Sequence, residues 1–370
     1  MHIVQALVSL DLGGSELVAV ELCECAVASG HRVTLIGADG PLGDRVRGCG
    51  AAHLAWAIGR KRPATLRYIA RLRRWLRARR PDVLHAHSRL PAWICRLALR
   101  GLMPDARPAF VTTMHGHYSV SRYSAVMASG DRVIAVSEAI RQYTLRNYPG
   151  TDPARVVTVP GGIDRRAFPR GHRPSPQWLA QACAEYPELR GRRWICLPGR
   201  LTRYKGHADF IELVARLRTQ VPDVHGVFVG QASRGSRYRD ELLGLALRYG
   251  VADRITFTQS RTDIREWMAA SEVVFSLCAD PPEAFGRTVP EALHLGVPVI
   301  GWNHGGVRET LAAMFPQGAV PPGDRRALFE RSLAFLRQRP TVAASDAFGL
   351  QASMQGTMAV YRSVRGEEPA

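Results

Sequence analysis

The sequence WICLPGRLTRYKG occupies residues 194–206. Its first four residues are apolar, as in a buried parallel strand, and the glycine turn that follows them leads into a helical pattern. Such a turn presents backbone N–H groups and a helix dipole to an anion. Arg200 and Lys205 add a guanidinium fork and an ammonium charge, which together can neutralise a diphosphate. Two solvated surface cations are the alternative, but the chain contains only two lysines, Lys61 and Lys205, which favours a specific role for the one at this turn.

The same succession of a short β-branched run and an amphipathic helical stretch recurs on both sides of this segment, which is typical of parallel sheets with crossover helices. Strands are predicted at 2–9, 32–37, 82–86, 109–114, 132–136 and 155–159, and again at 194–197, 224–229, 254–258, 272–277 and 297–301. Helices are predicted at 15–29 and 66–79, among others. A stretch rich in Pro and Arg, at 165–190, lacks periodicity and separates the two series.

These patterns predict an α/β chain of two Rossmann-like, doubly wound parallel-sheet domains that face each other across a cleft, where open α/β sheets bind ligands. A length of 370 residues agrees with two domains. We expect a first domain at 1–168, a linker at 169–192 and a second domain at 193–340. A C-terminal helix and tail, at 341–370, are expected to pack back on the first domain.

The composition is that of an ordinary globular protein, with 46% hydrophobic and 22% charged residues, and it excludes disordered, collagen-like and coiled-coil classes. The sequence suggests neither a spanning helix nor a secretory signal, so a cytoplasmic protein is expected. Its seven cysteines are scattered without a C-x-x-C spacing, and we interpret them as reduced core residues. The net charge of +18 is weak support for an anionic partner, because coding bias also produces an excess of Arg over Lys.

Two carboxylates flank another glycine turn. Glu283 and Glu291 lie on either side of Gly286, and each can accept hydrogen bonds from vicinal hydroxyl groups. Thr288 and Glu291 also fit a helix capping box, so a purely structural role for Glu291 is an alternative. Paired glycines open helices at two further places, Gly13-Gly14 and Gly305-Gly306.

Two histidine pairs stand at the ends of predicted strands, His85 with His87 and His115 with His117. An H-x-H spacing can hold a metal ion, but no carboxylate cluster or cysteine accompanies these pairs, and the chain has no D-x-D motif. We therefore expect no metal, and histidines that either are satisfied within the protein or contact a substrate.

Residues 60–80 carry ten basic side chains and no acidic one. Leu66, Ile69, Leu72 and Leu76 fall on one helical stripe, which predicts a helix packed through that stripe. Its basic outer face is then available to an anionic membrane, where each cation contributes about 1 kcal/mol. The alternative is a crossover helix whose arginines are simply solvated.

Taken together, the motifs resemble those of the retaining glycosyltransferases of the GT-B fold, family 4. The resemblance covers nearly the whole chain and depends on the order and spacing of the motifs more than on any one of them. The motifs stand at 13–16, 82–88, 113–116, 136–138, 159–164, 199–206, 283–291 and 305–306. The tract at 60–80 is similar to the basic membrane-docking helix of members that glycosylate lipid acceptors.

The resemblance implies an acceptor domain before the linker and a nucleotide-sugar donor domain after it. It implies catalytic roles for His115, Arg200, Lys205 and Glu283. Donor contacts are implied for Gly13, Gly14, Gly199, Arg200, Lys205, Glu283, Phe285, Gly286, Arg287 and Glu291. Acceptor contacts are expected of His87, His117, Tyr118 and Arg122, for which an ordinary surface loop is the alternative.

The implied activity is a retaining transfer of a hexosyl or heptosyl group from a nucleotide-sugar to a hydroxyl of a glycolipid or polysaccharide, in lipopolysaccharide or other cell-envelope glycan assembly. No cofactor or metal is expected, because fixed charges and helix dipoles can stabilise the leaving diphosphate. The tract at 60–80 would place the protein at the inner face of the plasma membrane.

Two other classes stay open. A nucleotide-sugar epimerase of the same fold would need no acceptor. A basic nucleic-acid-binding protein would need cations interleaved with stacking aromatics along a groove. The densest cationic cluster here lies on one helix, so no nucleic-acid partner is expected.

Overall fold

The computed structural model describes residues 1–232 and 235–366, which form two compact units. The first unit contains Met1–Gly162 and the segment that begins at Gln351. The second unit contains Ile163–Leu350. Each unit is built on its own parallel sheet, as the sequence predicts.

The first unit has a seven-stranded sheet in the order β3-β2-β1-β4-β5-β6-β7. Its strands are β1 (His2–Ser9), β2 (Arg32–Ala38), β3 (Ala52–Ala55), β4 (Val83–Ala86), β5 (Ala109–Met114), β6 (Arg132–Ala135) and β7 (Val156–Thr158). The described strand pairs are all parallel, and the order reverses between β1 and β4. Ligands of doubly wound sheets bind at the carboxyl ends of strands beside such a reversal.

Crossover helices connect these strands. They are α1 (Gly14–Ala28), α2 (Gly43–Gly48), α3 (Arg67–Arg79), α4 (Arg89–Leu99) and α5 (Glu138–Asn147). The last helix of the chain, α13 (Leu350–Ser363), belongs to the first unit from Gln351 onward. Tyr361 of α13 is fully buried, and Ser353 Oγ donates a hydrogen bond to the Pro160 carbonyl at 2.7 Å. Residues 367–370 of the predicted tail lie outside the described residues.

The second unit has a six-stranded sheet in the order β10-β9-β8-β11-β12-β13, which reverses between β8 and β11. Its strands are β8 (Arg193–Pro198), β9 (Val224–Val229), β10 (Ile255–Phe257), β11 (Val273–Ser276), β12 (Val299–Trp302) and β13 (Ala319–Val320). Its helices are α6 (Pro176–Glu185), α7 (His207–Leu217), α8 (Tyr238–Arg248), α9 (Ile264–Ala270), α10 (Thr288–Leu295), α11 (Gly305–Met314) and α12 (Arg325–Arg337).

The segment expected to be a linker is a structured part of the second unit. Ser175 caps α6 by accepting a hydrogen bond from the Trp178 N–H, and the Trp178 ring lies 5.1 Å from the ring of the buried Trp267. The chain also divides at positions that differ from those expected, at residues 162–163 and 350–351. Within the second unit, Ile163 N–H donates to the Phe348 carbonyl at 2.8 Å, and Leu350 N–H donates to the Ile163 carbonyl at 2.9 Å. These bonds pair the two ends of the second unit.

The basic tract forms a helix, but part of its charge is used within the fold. Tyr68, Leu72 and Leu76 are the buried residues of α3, whereas Leu66, expected on the packed stripe, lies in the preceding 3₁₀ turn and is 59% exposed. Arg73 donates to the Leu97 and Ala98 carbonyls, and Arg77 donates to the Gly101 carbonyl. These two side chains satisfy carbonyls at the end of α4.

Within the described residues, no helix is both long enough and apolar enough to span a membrane.

Candidate functional site

In the second unit, charged groups gather where the strand order reverses. The segment 199–206 follows β8, and the segment 277–287 follows β11, the adjacent strand. The Ala279 N–H donates to the Tyr204 carbonyl at 2.8 Å and joins the two segments. Their meeting point is therefore the position at which a doubly wound sheet binds its ligand.

An ion pair between Lys205 and Glu283 is the centre of this site. Lys205 Nζ donates a hydrogen bond to Glu283 Oε1, and the two side chains retain only 21% and 18% of their exposure. Burial acts to lower the pKa of Lys205, but the Glu283 charge and hydrogen bond outweigh it and the pKa is raised. Lys205 is therefore a permanent cation held by a carboxylate that can also turn to other partners.

Glycines let the two segments approach closely. Gly206 has φ of 77°, and a Cβ on it would lie 2.1 Å from the Leu277 carbonyl oxygen. At the start of α11, a Cβ on Gly306 would lie 2.3 Å from the Ala284 carbonyl oxygen, and the Gly306 N–H donates to the Glu283 carbonyl at 2.8 Å. The paired glycines at 305–306 thus hold the backbone of Glu283 against a helix start.

Glu291 is buried and is paired along its own helix. Arg287 Nε donates to Glu291 Oε1 at 2.7 Å, and their side chains are 15% and 7% exposed. The helix α10 begins after Arg287 without a side-chain cap, so the capping box expected from Thr288 and Glu291 is not formed. The structural alternative for Glu291 is thus an ion pair with Arg287 in place of a cap.

Three helices begin at this site without a side-chain cap. They are α7, α10 and α11. The lack of a side-chain cap does not by itself distinguish these helices, because α2, α3, α4, α8 and α9 also begin without one. Each helix start carries a partial positive charge, and three such starts at one site favour an anion there.

The other predicted donor residues differ in their exposure. Arg200 directly follows Gly199 at the end of β8 and is exposed. Gly286 is buried beside Val307 of α11. The Phe285 ring packs against the Phe348 ring at 5.6 Å. Phe285 therefore also has a packing role.

In the first unit, α1 begins directly after Gly13 at the end of β1, again without a side-chain cap. Among the described residues, no heavy atom lies within 4 Å of the position that a Cβ on Gly14 would take. Contacts with the surrounding fold therefore do not require glycine at position 14, and the space beside this helix start is open.

Three of the predicted histidines lie in two hydrogen-bonded groups, one that contains His87 and His115 and one that contains His85. His115 Nε2 lies 3.0 Å from His87 Nδ1, and His87 Nε2 lies 2.9 Å from Gln5 Oε1. His85 contacts Thr113 Oγ1 at 2.7 Å and Tyr361 Oη at 2.6 Å. Burial lowers the pKa of His85 to about 3 and that of His115 to about 4, so both rings are neutral at pH 7.

The expectation that His87 contacts an acceptor is wrong in this structure. Its ring is 1% exposed, and both of its nitrogens already have partners. Of the other expected acceptor residues, His117 packs edge-on against the Tyr143 ring at 4.8 Å, and Tyr118 lies beneath the Arg89 guanidinium at 5.0 Å. Burial raises the pKa of Tyr118 to about 12. Arg122 is exposed.

Gln5 was not singled out by the sequence patterns. It is fully buried in β1 and pairs in register with His85 of β4. A polar side chain within the apolar run of residues 3–8 is a signal that could have found it, because buried polar groups need partners.

Throughout residues 1–232 and 235–366, no group of three or more His, Cys, Asp or Glu side chains is placed to hold a metal ion.

Two units, each a doubly wound parallel sheet whose order reverses once, are the architecture of the GT-B class. Comparison with known proteins gives the family. Residues 12–166 match the model described as Glycosyltransferase Family 4, and residues 184–349 match the model described as Glycosyl transferases group 1. The chain belongs to the family 4 glycosyltransferases, and the resemblance of its motifs to this family is confirmed.

Curated relatives share moderate similarity with this chain. The alpha-maltose-1-phosphate synthase of Mycolicibacterium smegmatis is 29% identical over 63% of this chain and 56% of its own length. The lipopolysaccharide core biosynthesis mannosyltransferase LpsB of Rhizobium meliloti is 29% identical over 43% of this chain and 46% of its own length. The matches thus span about half the length of these two relatives.

Solved structures confirm the GT-B fold. A glycosyltransferase from Rickettsia africae superimposes with a TM-score of 0.81 at 23% identity and covers 99% of both chains. Anabaena HepE in complex with UDP-glucose superimposes with a TM-score of 0.78 at 20% identity, over 99% of this chain and 98% of its own.

Proposed function

We propose that this glycosyltransferase moves a hexosyl or heptosyl group from a nucleoside diphosphate to a hydroxyl of a lipid-linked or saccharide acceptor, with retention of configuration and without a metal ion. The observation that carries the proposal is the pair of Lys205 and Glu283, held between the ends of β8 and β11. A UDP-sugar bound to the structural relative HepE supports a nucleotide-sugar donor.

The diphosphate is assigned to the cationic part of the site. Lys205 supplies a half-buried ammonium, and the starts of α7, α10 and α11 supply N–H groups. The exposed Arg200 adds a guanidinium fork from the same turn, with Gly199 beside it. Fixed donors of this kind stabilise charge that develops on a leaving diphosphate.

The carboxylates are assigned to the hydroxyl groups of the donor. Glu283 accepts hydrogen bonds from the transferred sugar once Lys205 turns to the diphosphate. Glu291, oriented by Arg287, accepts hydrogen bonds from the ribose. Gly286 and the backbone of Phe285 line the turn between these two carboxylates.

The first unit is assigned to the reacting groups and the acceptor. The start of α1 at Gly13-Gly14 offers N–H groups to the donor, and His115 offers a neutral ring nitrogen beside the reacting carbon. His117, Tyr118 and Arg122 are assigned to the acceptor.

We assign retention to attack by the acceptor hydroxyl on the face from which the diphosphate leaves, because the described residues of the donor site include no pair of carboxylates of the kind that retaining hydrolases use for a covalent intermediate. The bond from the anomeric carbon to the diphosphate oxygen breaks, and the bond from that carbon to the acceptor oxygen forms. The proton of the acceptor hydroxyl passes to the departing diphosphate. The sugar is oxocarbenium-like between these events, and the cations of the second unit stabilise the leaving group.

Several cations of 60–80 remain exposed, which supports an acceptor at an anionic lipid surface. The relative that acts in lipopolysaccharide core biosynthesis supports a role in cell-envelope glycan assembly. On this proposal the protein works in the cytoplasm, at the inner face of the plasma membrane.

The test begins with thermal unfolding of the protein in the presence of UDP, GDP, ADP and CDP and of their common sugar conjugates, with and without EDTA. A rise in melting temperature with one nucleotide, unchanged by EDTA, supports the donor assignment. Incubation of that sugar-nucleotide with and without lipid-linked glycan follows. Isomerised donor in the absence of acceptor would identify an epimerase, and a product of inverted configuration would refute retention.

A further inference from the structure

A chain of three hydrogen-bonded side chains ends at His115 in the first unit; Gln5 and His87 are buried, and His115 is half-buried. Gln5 lies in the middle of β1, His87 follows β4, and His115 follows β5, so the chain crosses three neighbouring strands. Gln5 is fully buried and His87 is 1% exposed, which leaves water out of the hydrogen bonds between them. The bond between Gln5 Oε1 and His87 is therefore made by protein groups alone, while the buried Gln5 Nε2 has no hydrogen-bond partner among the described residues.

The hydrogen-bonding chemistry of the Gln5 amide oxygen determines which ring nitrogens of His87 and His115 carry a proton. An amide oxygen only accepts hydrogen bonds, so the hydrogen on His87 Nε2 points to Gln5 Oε1 across 2.9 Å. A neutral imidazole carries one hydrogen, and His87 Nδ1 is therefore an acceptor. The 3.0 Å contact with His115 Nε2 then places a hydrogen on that nitrogen. His115 Nδ1 is left with a lone pair.

Neutrality of both rings is set by their surroundings. Burial lowers the pKa of His87 and of His115, and the neighbouring imidazoles lower the pKa of His87 further. The titratable groups that face this chain are His85 from β4 and Tyr361 from α13, which bond to each other at 2.6 Å. Burial raises the pKa of Tyr361, so it is also neutral.

We propose that Gln5 and His87 are positioning residues that hold His115 in one tautomer, with the proton on Nε2, so that Nδ1 accepts a hydrogen bond from a substrate hydroxyl. The part that concerns substrate rests on the proposed function. Because the amide of Gln5 cannot give up a proton to the chain or take one from it, these residues orient His115 and do not relay a proton away from it.

The direct test is ¹⁵N NMR of the intact protein with labelled histidine at pH 7, in which protonated and unprotonated ring nitrogens differ widely in chemical shift. His115→Gln and His87→Gln variants assign the signals. The expected result is a protonated Nε2 and an unprotonated Nδ1 on both rings. A proton on Nδ1 of His115 in the wild-type protein would overturn the inference.

A variant of Gln5 adds a kinetic test. Gln5→Leu removes the acceptor, so we expect a mixture of tautomers at His115 and a fall in kcat of roughly 10- to 100-fold, with KM for the donor little changed. Thr34→Val on β2, which removes the hydroxyl partner of buried His2 on β1, is the matched control and is expected to change neither the ¹⁵N pattern nor kcat.

The catalytic role of His115 and the positioning role of Gln5 are refuted by different results. Full activity of His115→Ala would refute the role of His115 in the proposed function, while the ¹⁵N pattern tests the tautomer independently. If His115→Ala lacks activity but Gln5→Leu keeps both the wild-type kcat and the wild-type ¹⁵N pattern, the positioning role is wrong and the proposed function stands. If Gln5→Leu fails to fold, the ¹⁵N spectrum of the wild-type protein still tests the proposed tautomer of His115.

Discussion

Replacement of Lys205 by alanine is the sharpest test of the donor site. Lys205 is the only lysine near the strand-order reversal of the second unit, and its ammonium is paired with Glu283 alone among the described carboxylates. A charge-assisted hydrogen bond contributes about 1.5 to 3 kcal/mol, so the variant should bind the preferred nucleoside diphosphate roughly 10- to 150-fold more weakly. Glu283, left without its cation, adds repulsion of the diphosphate in the same direction.

The weaker binding of nucleotide can be measured as a smaller rise in melting temperature. At a nucleotide concentration about 100 times the wild-type Kd, binding stabilises the folded wild type by about 2.7 kcal/mol, and the variant by roughly 0.3 to 1.4 kcal/mol. For a domain of this size the rise in Tm would be about 5 to 11 °C for the wild type and roughly 1 to 6 °C for the variant. The rise in Tm is measured for each protein relative to the same protein without nucleotide. A change in the stability of the free variant therefore does not affect the comparison.

Lys61→Ala is the matched control, because Lys61 is the other lysine of the chain and is exposed in the first unit. It should respond to nucleotide as the wild type does. An equal rise in Tm for Lys205→Ala and Lys61→Ala would refute the assignment of the diphosphate to this ion pair.

Three further outcomes are expected. Gly206→Ala should lower the free energy of unfolding well beyond Gly296→Ala, measured by denaturant titration, because both have positive φ but only the first places a Cβ against backbone; equal losses would contradict this. His85 and His115, with pKa values of about 3 and about 4 against 6.5 when unfolded, bind protons mainly in the unfolded chain. The free energy of unfolding should therefore fall below pH 6.5 by up to about 1.4 kcal/mol per pH unit for each ring, and a flat profile down to pH 5 would refute their burial as neutral rings. Replacing three exposed cations of 60–80 by serine should weaken binding to anionic vesicles about five-fold for each, with neutral vesicles as control; unchanged binding would refute membrane docking by this tract. The three are Arg62, Arg74 and Arg79.

Much of the fold could be predicted because parallel strands buried on both faces have a strong sequence signal. The strands at 2–9, 109–114 and 224–229 have the predicted limits. β3 and β13 were missed because they are short edge strands of four and two residues, without a continuous apolar run. The segment 169–192 was interpreted as a linker because its packing depends on a contact distant in sequence, between Trp178 and Trp267.

The candidate site was predictable where chemistry follows directly from local sequence. Lys205 and Glu283 were both singled out, but their direct pairing depends on β8 and β11 being neighbours, which one sequence does not reveal. His87 was assigned to the acceptor because a residue at a strand end can face solvent or core, and local sequence does not distinguish them. The second hydrogen-bond partner of His87 is Gln5, which lies on another strand and 82 residues earlier in the sequence.

The pairing of Lys205 with Glu283 also has a consequence for turnover. On the proposed assignment, the intact donor offers each of these groups a new partner, phosphate for the ammonium and a sugar hydroxyl for the carboxylate. After transfer the sugar hydroxyl is gone, and the half-buried carboxylate competes with the spent diphosphate for the same ammonium. The ion pair thus disfavours the product relative to the substrate, which speeds release of the nucleotide and limits inhibition by it.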